Sequence, residues 1–328
     1  MSGDPAVDRP HRGCRLTVAF VFPGQGSQAV GMGKALADAV PEARAVFAEV
    51  DDALGEKLST TIWEGPAEAL TLTRNTQPAL MAVSLAAFRA LEAAGAKISG
   101  KVAYVAGHSL GEYSALAAAG SFTVGEAARL LRIRGDAMQK AVPVGAGAMA
   151  AILGLEFDAV TEVAASAAQG EVCDVANDNG AGQVVVSGNK AAVERAVTLA
   201  QERGAKRAIL LPVSAPFHCA LMKPAADKMA KALAATPPRA PSIPLVANIT
   251  AAPVTDPTAI REGLVKQVTG MVRWRESVAW LAANGVDCFV EVGAGKVLTG
   301  LAKRIAPGAA TLTLGEPGDI AAVRERLG

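Results

Sequence analysis

The feature of this sequence that most restricts its fold is the alternation of short apolar runs with helix-period segments. The runs are rich in β-branched and aromatic residues, and they read LTVAFVFPG, VAYVAGHS, PLVANI, CFVEVG and ATLTLG. Apolar strands that are joined through helices usually form a parallel sheet, and helices cover both faces of such a sheet. We therefore expect an α/β fold with a mainly parallel sheet.

Residues 146–211 show a different order of elements. AMAAILG, EVCDVAND, QVVVSG and RAILLPV are strand-like, and two helical segments lie between them. The resulting βαββαβ order is the split βαβ pattern of ferredoxin-like units. We expect a ferredoxin-like subdomain at 146–211, inserted into a larger domain that comprises residues 16–145 and 212–328.

Composition and charge argue against several classes of partner. The net charge of +1 gives no field that attracts nucleic acid or a lipid surface, and 4% aromatic residues argue against base stacking. No apolar run reaches the roughly 18 residues of a membrane helix, and residues 1–15 are polar, as in a flexible tail. The four cysteines form no C-x-x-C pair, so we expect free thiols, no metal site and a cytoplasmic protein.

The run GHSLG, Gly107 to Gly111, is the strongest local signal for chemistry. It matches G-x-S-x-G between a strand, VAYVA, and a helix, GEYSALAAAG, which is the setting of a nucleophile elbow. Glycines leave room for the sharp turn, and N–H groups at the helix start stabilise an oxyanion. We expect Ser109 to be a nucleophile and the Leu110 N–H to face the oxyanion.

A serine nucleophile needs a base, and the chain has three histidines. His11 lies in the polar tail, and His108 adjoins Ser109 on a turn where neighbouring side chains point apart. His218, in SAPFHCALM, lies between a strand and a helix start, downstream of the serine as in α/β-hydrolase sites. We expect His218 to be the base, and the sequence leaves the carboxylate partner open between Asp136, Asp158, Asp174 and Asp178.

Arg134, in LLRIRGDAMQ, lies in the middle of an apolar helical stripe. At about 100° per residue, the residues on its own side of the helix are apolar: Ala127, Leu130, Leu131, Ala137, Met138 and Ala141. An arginine keeps its charge when it is buried, so Arg134 needs an anion. The pattern alone does not decide between a distant carboxylate of the chain and a bound substrate.

The glycine-rich loop FPGQGSQAVGMGK does not fit a nucleotide site. Ala35 follows Gly33-Lys34, and Gln28 stands where a P-loop requires glycine. No strand with a terminal acidic residue follows, as the ribose contact of a dinucleotide needs. We expect instead a tight loop that brings a backbone N–H or Gln25 close to the serine.

Seven motifs follow one another over residues 17–305: FVFPGQGSQAVGMG, GHSLGEYSALAAAG, RIRGDAMQ, GQVVVSG, SAPFHCALMKPAAD, LVKQVTGMVRW and EVGAGKVLTGL. Together they resemble the malonyl-CoA:acyl-carrier-protein transacylases of fatty-acid synthesis. The resemblance implies an α/β-hydrolase-like catalytic domain with a ferredoxin-like subdomain, and no cofactor beyond the coenzyme A thioester that is a substrate. One departure is Ala181, where the family often has proline in a turn of the subdomain.

The resemblance also implies the reaction. Ser109 matches the serine that takes the malonyl group as an ester before acyl carrier protein accepts it, and His218 matches its base. In this family a main-chain carbonyl, not an aspartate, holds the histidine. The matching residue is Gln267 in LVKQVTG, which we group with the substrate-binding residues.

Three further positions follow from the same resemblance. Gln25 and Leu110 match the residues whose backbone N–H groups form the oxyanion hole. Arg134 matches the arginine that binds the free malonyl carboxylate, as its inward position allows. Phe217, next to the histidine, is hypothesised to narrow the pocket beside the malonyl α-carbon and to disfavour methylmalonyl-CoA.

Three alternatives stay open. A serine esterase or thioesterase has the same elbow and histidine but needs no buried cation, so Arg134 argues against it. An acyltransferase domain of a polyketide synthase fits the motifs, although the polar start and the terminal helix favour a free-standing protein. A non-catalytic scaffold is the third, and intact Ser109, His218 and Arg134 argue against it.

Overall fold

A computed structural model describes residues 17–213 and 215–328 of the chain. The predicted tail at residues 1–15 lies outside the described residues. The strands are β1 (Val18–Phe22), β2 (Val102–Gly107), β3 (Gly147–Leu153), β4 (Cys173–Asp178), β5 (Gln183–Asn189), β6 (Arg207–Leu210), β7 (Leu245–Val246), β8 (Pro253–Val254), β9 (Cys288–Val292) and β10 (Ala310–Leu314).

Fourteen α-helices occur in the described residues. In chain order they are α1 (Lys34–Ala39), α2 (Pro41–Leu54), α3 (Leu58–Glu64), α4 (Ala67–Thr71), α5 (Thr73–Ala93), α6 (Gly111–Ala118), α7 (Val124–Lys140), α8 (Phe157–Ala168), α9 (Lys190–Glu202), α10 (Lys223–Ala235), α11 (Pro257–Gln267), α12 (Trp274–Ala283), α13 (Val297–Ile305) and α14 (Ile320–Leu327). None of them is both long and apolar enough to span a bilayer.

The first sheet has six strands in the order β10-β9-β1-β2-β7-β8. All neighbours from β10 to β7 are parallel, and β8 alone pairs antiparallel. Strand β1 alternates between two cores: Phe20 and Phe22 pack into one, and Ala19 and Val21 pack into the other. The prediction of a mainly parallel sheet that is covered on both faces is confirmed.

The second sheet has four antiparallel strands in the order β4-β5-β3-β6. Helices α8 and α9 pack on it and share a separate apolar core with its strands. The βαββαβ order of elements agrees with the prediction. The sheet lies against the rest of the chain where the Asp178 N–H donates to the Val272 carbonyl (3.0 Å) and the Val272 N–H donates to the Ala176 carbonyl (2.9 Å).

Two predicted elements differ in the structure. The sequence pattern around residues 29–53 predicts a helical segment, but the structure divides it at Val40. Pro41 disfavours a helical backbone in the residue before it, and Val40 is extended. The run PLVANI contributes only two strand residues, since the chain turns immediately afterwards and the Ala251 N–H donates to the Ala247 carbonyl. This early end of β7 leaves Asn248 free to reach the turn that follows β2.

Candidate active site

Ser109 lies on the sharp turn between β2 and α6. Its backbone is in the left-handed region, with φ of 55°, a conformation that is costly for a side-chain-bearing residue and that clusters at functional sites. A Cβ on Gly107 would collide with the backbone of Gly111, and one on Gly111 would collide with the carbonyl of Phe22. The flanking glycines are therefore required by the close approach of the chain, as the elbow pattern predicts.

Asn248, which follows the neighbouring strand β7, holds this turn in place. Its Oδ1 accepts a hydrogen bond from the Ser109 N–H at 2.8 Å, and its Nδ2 donates to the Gly107 carbonyl at 2.6 Å. The Asn248 side chain is fully buried, where hydrogen bonds between fixed groups hold a strained backbone most effectively. Asn248 is a site residue that the sequence argument did not identify.

His218 is in hydrogen-bond contact with the serine. Its Nε2 lies 2.7 Å from Ser109 Oγ, and its Nδ1 lies 2.9 Å from the Gln267 carbonyl and 3.2 Å from the Gly270 carbonyl. A carbonyl only accepts, so Nδ1 carries the proton and Nε2 is free to accept the serine proton. The carbonyl contact at Gln267 is the one that the family resemblance implies.

The four carboxylates considered as triad members lie elsewhere. Asp136 pairs with Arg74 and Asp178 with Arg275, while Asp174 accepts a hydrogen bond from the Ala220 N–H and Asp158 is exposed. Of the other histidines, His108 is hydrogen-bonded to Asn179 at 2.9 Å, and His11 is not among the described residues. The imidazole of His218 is oriented by carbonyl groups.

Burial is the main cause that lowers the pKa of His218 to about 3, and the positive charge of Arg134 contributes to this in the same direction. The imidazole is therefore neutral at neutral pH, which is the form that accepts a proton. An anion bound to Arg134 would cancel the repulsion between the two groups. Binding of such an anion is thus expected to strengthen His218 as a base.

Arg134 projects from α7 into the space beside Ser109, and it is 1% exposed. Its Nη1 donates to Gln77 Oε1 (2.8 Å), and its Nη2 donates to Gln267 Oε1 (2.8 Å) and to Ser109 Oγ (3.1 Å). Two neutral amide oxygens thus hold the guanidinium, and no ion pair within the described parts of the chain includes it. The cation is fixed in place without being neutralised.

A buried carboxyl group, that of Glu112, belongs to the same cluster as this arginine. Glu112 Oε2 accepts hydrogen bonds from Gln267 Nε2 at 2.7 Å and from the Asn248 N–H at 3.2 Å. Burial raises the pKa of Glu112 to about 7, although these hydrogen bonds and the charge of Arg134 act to lower it. Gln267 therefore lies between the arginine and the carboxylate, with its oxygen on one and its nitrogen on the other.

A cavity of about 410 Å³ opens onto these groups. Of the residues that the sequence predicts around the substrate, all but Gln267 line this cavity. They are Gln25, Ser109, Leu110, Arg134, Phe217 and His218. Among the described residues, no backbone hydrogen bond uses the N–H of Gln25 or of Leu110. Both donors are available to an oxyanion that forms on an acyl group at Ser109.

Three residues of the site were not predicted from the sequence: Gln77, Glu112 and Asn248. Glu112 had a usable signal, because it is an acidic residue in the otherwise apolar helix GEYSALAAAG, as Arg134 is a basic one in its stripe. Gln77 and Asn248 are uncharged, and nothing in their local sequence marks them. They join the site through contacts with residues 57 and 139 positions away along the chain.

Comparisons with known proteins agree with this geometry. The family model described as "Acyl transferase domain" matches residues 19–306. The chain is 49% identical over 307 residues to the malonyl CoA-acyl carrier protein transacylase of Escherichia coli (strain K12), with 94% of this chain and 98% of that protein covered.

Solved structures are similar over almost the whole chain. The acyl-carrier-protein-S-malonyltransferase of Bartonella henselae superposes with a TM-score of 0.94 at 56% identity, covering 95% of this chain and 100% of that one. A malonyl-transacylase in complex with a type II PKS acyl-carrier protein superposes with a TM-score of 0.91 at 44% identity, covering 94% of this chain and 99% of that one.

Proposed function

The chain belongs to the acyl transferase domain family, and from this membership and the geometry of its site we propose that it transfers the malonyl group of malonyl-CoA to the phosphopantetheine thiol of acyl carrier protein. The observation that carries the proposal is the buried guanidinium of Arg134, which lies 3.1 Å from Ser109 Oγ and lacks a carboxylate partner among the described residues. A malonyl group has a thioester for the serine and a carboxylate for the arginine.

The first half-reaction loads the serine. The malonyl carboxylate binds Arg134 through charge-assisted N–H···O bonds, which holds the thioester carbonyl carbon over Ser109 Oγ. His218 Nε2 takes the hydroxyl proton as Oγ attacks the carbonyl carbon. The oxyanion that forms is stabilised by the N–H groups of Gln25 and Leu110, two residues that line the cavity.

The second half-reaction unloads the serine. It starts from the malonyl ester that is left on Ser109 when the tetrahedral intermediate expels coenzyme A as a thiolate and the thiolate takes the proton from the His218 imidazolium. The thiol of phosphopantetheine then enters, gives its proton to His218 and attacks the ester carbonyl. Ser109 leaves and regains the proton, so the enzyme returns to its starting state.

Transfer, rather than hydrolysis, is expected to be the fate of the malonyl group. When the chain is incubated with radiolabelled malonyl-CoA and phosphopantetheinylated acyl carrier protein, label should move to the carrier, and free malonate should accumulate far more slowly. Carrier protein without phosphopantetheine is the matched control and should stay unlabelled. Rapid malonate release without an acceptor would instead identify a hydrolase, the first alternative above.

We propose that the acyl carrier protein that receives the malonyl group serves fatty-acid synthesis, with polyketide synthesis as the alternative. Curated relatives that are 49% and 46% identical to this chain are named malonyl CoA-acyl carrier protein transacylases. One similar structure contains a type II PKS acyl-carrier protein. Both routes use the same carrier thiol, so the two assignments share every step described for Ser109 and His218.

Phe217 is proposed to exclude a branched α-carbon. Its side chain is buried and lines the cavity with Met138 and Met149. In Phe217→Ser, the preference for malonyl-CoA over methylmalonyl-CoA should fall by about tenfold, because one methyl group in an apolar pocket discriminates within this range. Competition between the two substrates, read by intact mass, measures the ratio. An unchanged ratio would refute the role, and acetyl loading is the internal control.

We also propose the finer features of the fold and setting. The strand order β4-β5-β3-β6 and the βαββαβ order of elements support a ferredoxin-like subdomain at 146–211, and the elbow after β2 supports an α/β-hydrolase-like catalytic domain in 16–145 and 212–328. Ser109 and His218 supply nucleophile and base, so we propose that no cofactor is needed. Buried free thiols at Cys173, Cys219 and Cys288 support a reducing, cytoplasmic location.

A further inference from the structure

Glu112 is a buried carboxylate that the proposed mechanism does not use. It is 2% exposed, it occupies the second position of α6, and it follows the serine by three residues. Burying a carboxylate is costly unless hydrogen bonds and charge compensate for the loss of water. An uncharged residue could fill this space at a lower cost in folding free energy. The presence of Glu112 beside the site therefore indicates a function.

The hydrogen bond to Glu112 is one of three contacts that fix which way the Gln267 amide points. Gln267 Nε2 faces three acceptors: Glu112 Oε2 at 2.7 Å, the Ser109 carbonyl at 2.9 Å and Asn248 Oδ1 at 3.4 Å. The carbonyl oxygen and the amide oxygen only accept hydrogen bonds, and so does the carboxylate of Glu112 when it is ionised. The amide nitrogen must therefore lie on this side, and the oxygen must lie on the opposite side, where Arg134 Nη2 donates to it at 2.8 Å.

A reversed amide would present N–H groups to the guanidinium, which has no acceptor. The arginine would then lose one of its two amide anchors, since only Gln77 would remain. A displaced guanidinium would no longer hold a carboxylate in line with Ser109. The 2.7 Å contact with Glu112 is the shortest of the three contacts that prevent this reversal.

We propose that Glu112 is a positioning residue for substrate selection: its carboxylate orients the Gln267 amide, and the amide oxygen holds Arg134 where it receives the carboxylate of the malonyl group. The inference rests on the proposed function. It adds a residue that does not line the cavity, makes no hydrogen bond with Arg134 and acts through one intermediate side chain.

The test separates the reach of Glu112 from its charge. Glu112→Asp keeps the charge but withdraws the oxygens by one methylene, so Gln267 Nε2 loses its nearest acceptor. Glu112→Gln keeps an oxygen at the same reach and removes the charge. Assays at pH 8 keep the wild-type carboxyl ionised, since burial places its pKa at about 7.

The readout is the ratio of kcat/KM for serine loading with malonyl-CoA to that with acetyl-CoA, because acetyl has no carboxylate for Arg134 to bind. Glu112→Asp should lower this ratio by about tenfold, in line with the cost of misplacing a binding group, whereas Glu112→Gln should keep it within about threefold. A merely structural role would lower both activities equally and leave the ratio unchanged. That outcome overturns the proposal, and so does an equal loss of the ratio in both variants.

Glu291→Asp is the matched control. Glu291, in strand β9 of the first sheet, is also a fully buried carboxylate, and it accepts hydrogen bonds from the N–H groups of Leu298 and Thr299 in α13. Its shortening should leave the ratio of malonyl to acetyl loading unchanged. A fall in the ratio equal to that of Glu112→Asp would show that any buried carboxylate has this effect, and would overturn the proposal.

A double-mutant cycle tests the route through Gln267. Gln267→Met by itself should lower the ratio of malonyl to acetyl loading. Adding Glu112→Asp to this variant should lower the ratio by no more than about twofold further, because the side chain that transmits the effect is already absent. Additive losses would overturn the proposal. The proposed function fails separately, if the wild-type chain forms no malonyl ester or if Arg134→Ala leaves the ratio unchanged.

Discussion

Replacement of Ser109 by alanine is expected to abolish the single malonyl adduct that the chain forms with malonyl-CoA. The hydroxyl oxygen is the atom that takes the acyl group, and it lies 2.7 Å from His218 Nε2. Loss of a serine nucleophile lowers the rate of acyl transfer by about 10⁴-fold or more. Intact-mass measurement after incubation with malonyl-CoA detects the adduct directly, and peptide mapping places it.

Ser114→Ala is a suitable control for this experiment. Ser114 is a buried serine on the same helix, α6, and its hydroxyl has no hydrogen-bond partner among the described residues. This variant should still form one adduct. An adduct of undiminished yield in Ser109→Ala would place the acyl group on another residue and refute the proposed nucleophile.

Replacement of Arg134 by alanine should lower malonyl loading by about 10² to 10³-fold, because two charge-assisted hydrogen bonds to a carboxylate contribute about 3 to 4 kcal/mol together. Acetyl loading should change far less, since acetyl presents no carboxylate. The measurement is kcat/KM for each thioester in the same assay. Equal losses for both substrates would mean that Arg134 only supports the structure of the site.

The same variant should also change the pH dependence of acetyl loading. The charge of Arg134 is one cause of the low pKa of His218, second to burial, so its removal should raise that pKa toward the ordinary value. Loading needs neutral His218, and the loss of activity on acidification should therefore begin at a higher pH than in the wild type. Arg132→Ala is the matched control, because Arg132 lies on the same helix and binds Asn75 and Glu56 instead.

Local sequence patterns predicted the elements that form the site. The elbow was predictable because glycine spacing and a strand–helix boundary are properties of neighbouring residues. The inward position of Arg134 was predictable because helical periodicity assigns each residue to a face. Local patterns did not predict which group holds His218. The main-chain carbonyl of Gln267, in LVKQVTG, was expected only from the family resemblance.

The sequence alone determined the α/β layout, the βαββαβ segment, the serine on its turn and the cation in an apolar stripe. Only the tertiary structure decided how these groups meet. Gln267 contacts Arg134 across 133 residues of chain, and Asn248 reaches the Ser109 turn across 139. Such contacts depend on how strands and helices pack in space, and no local pattern specifies that packing. The same packing places Glu112 behind Gln267, so a helix residue with no conspicuous motif becomes part of the site.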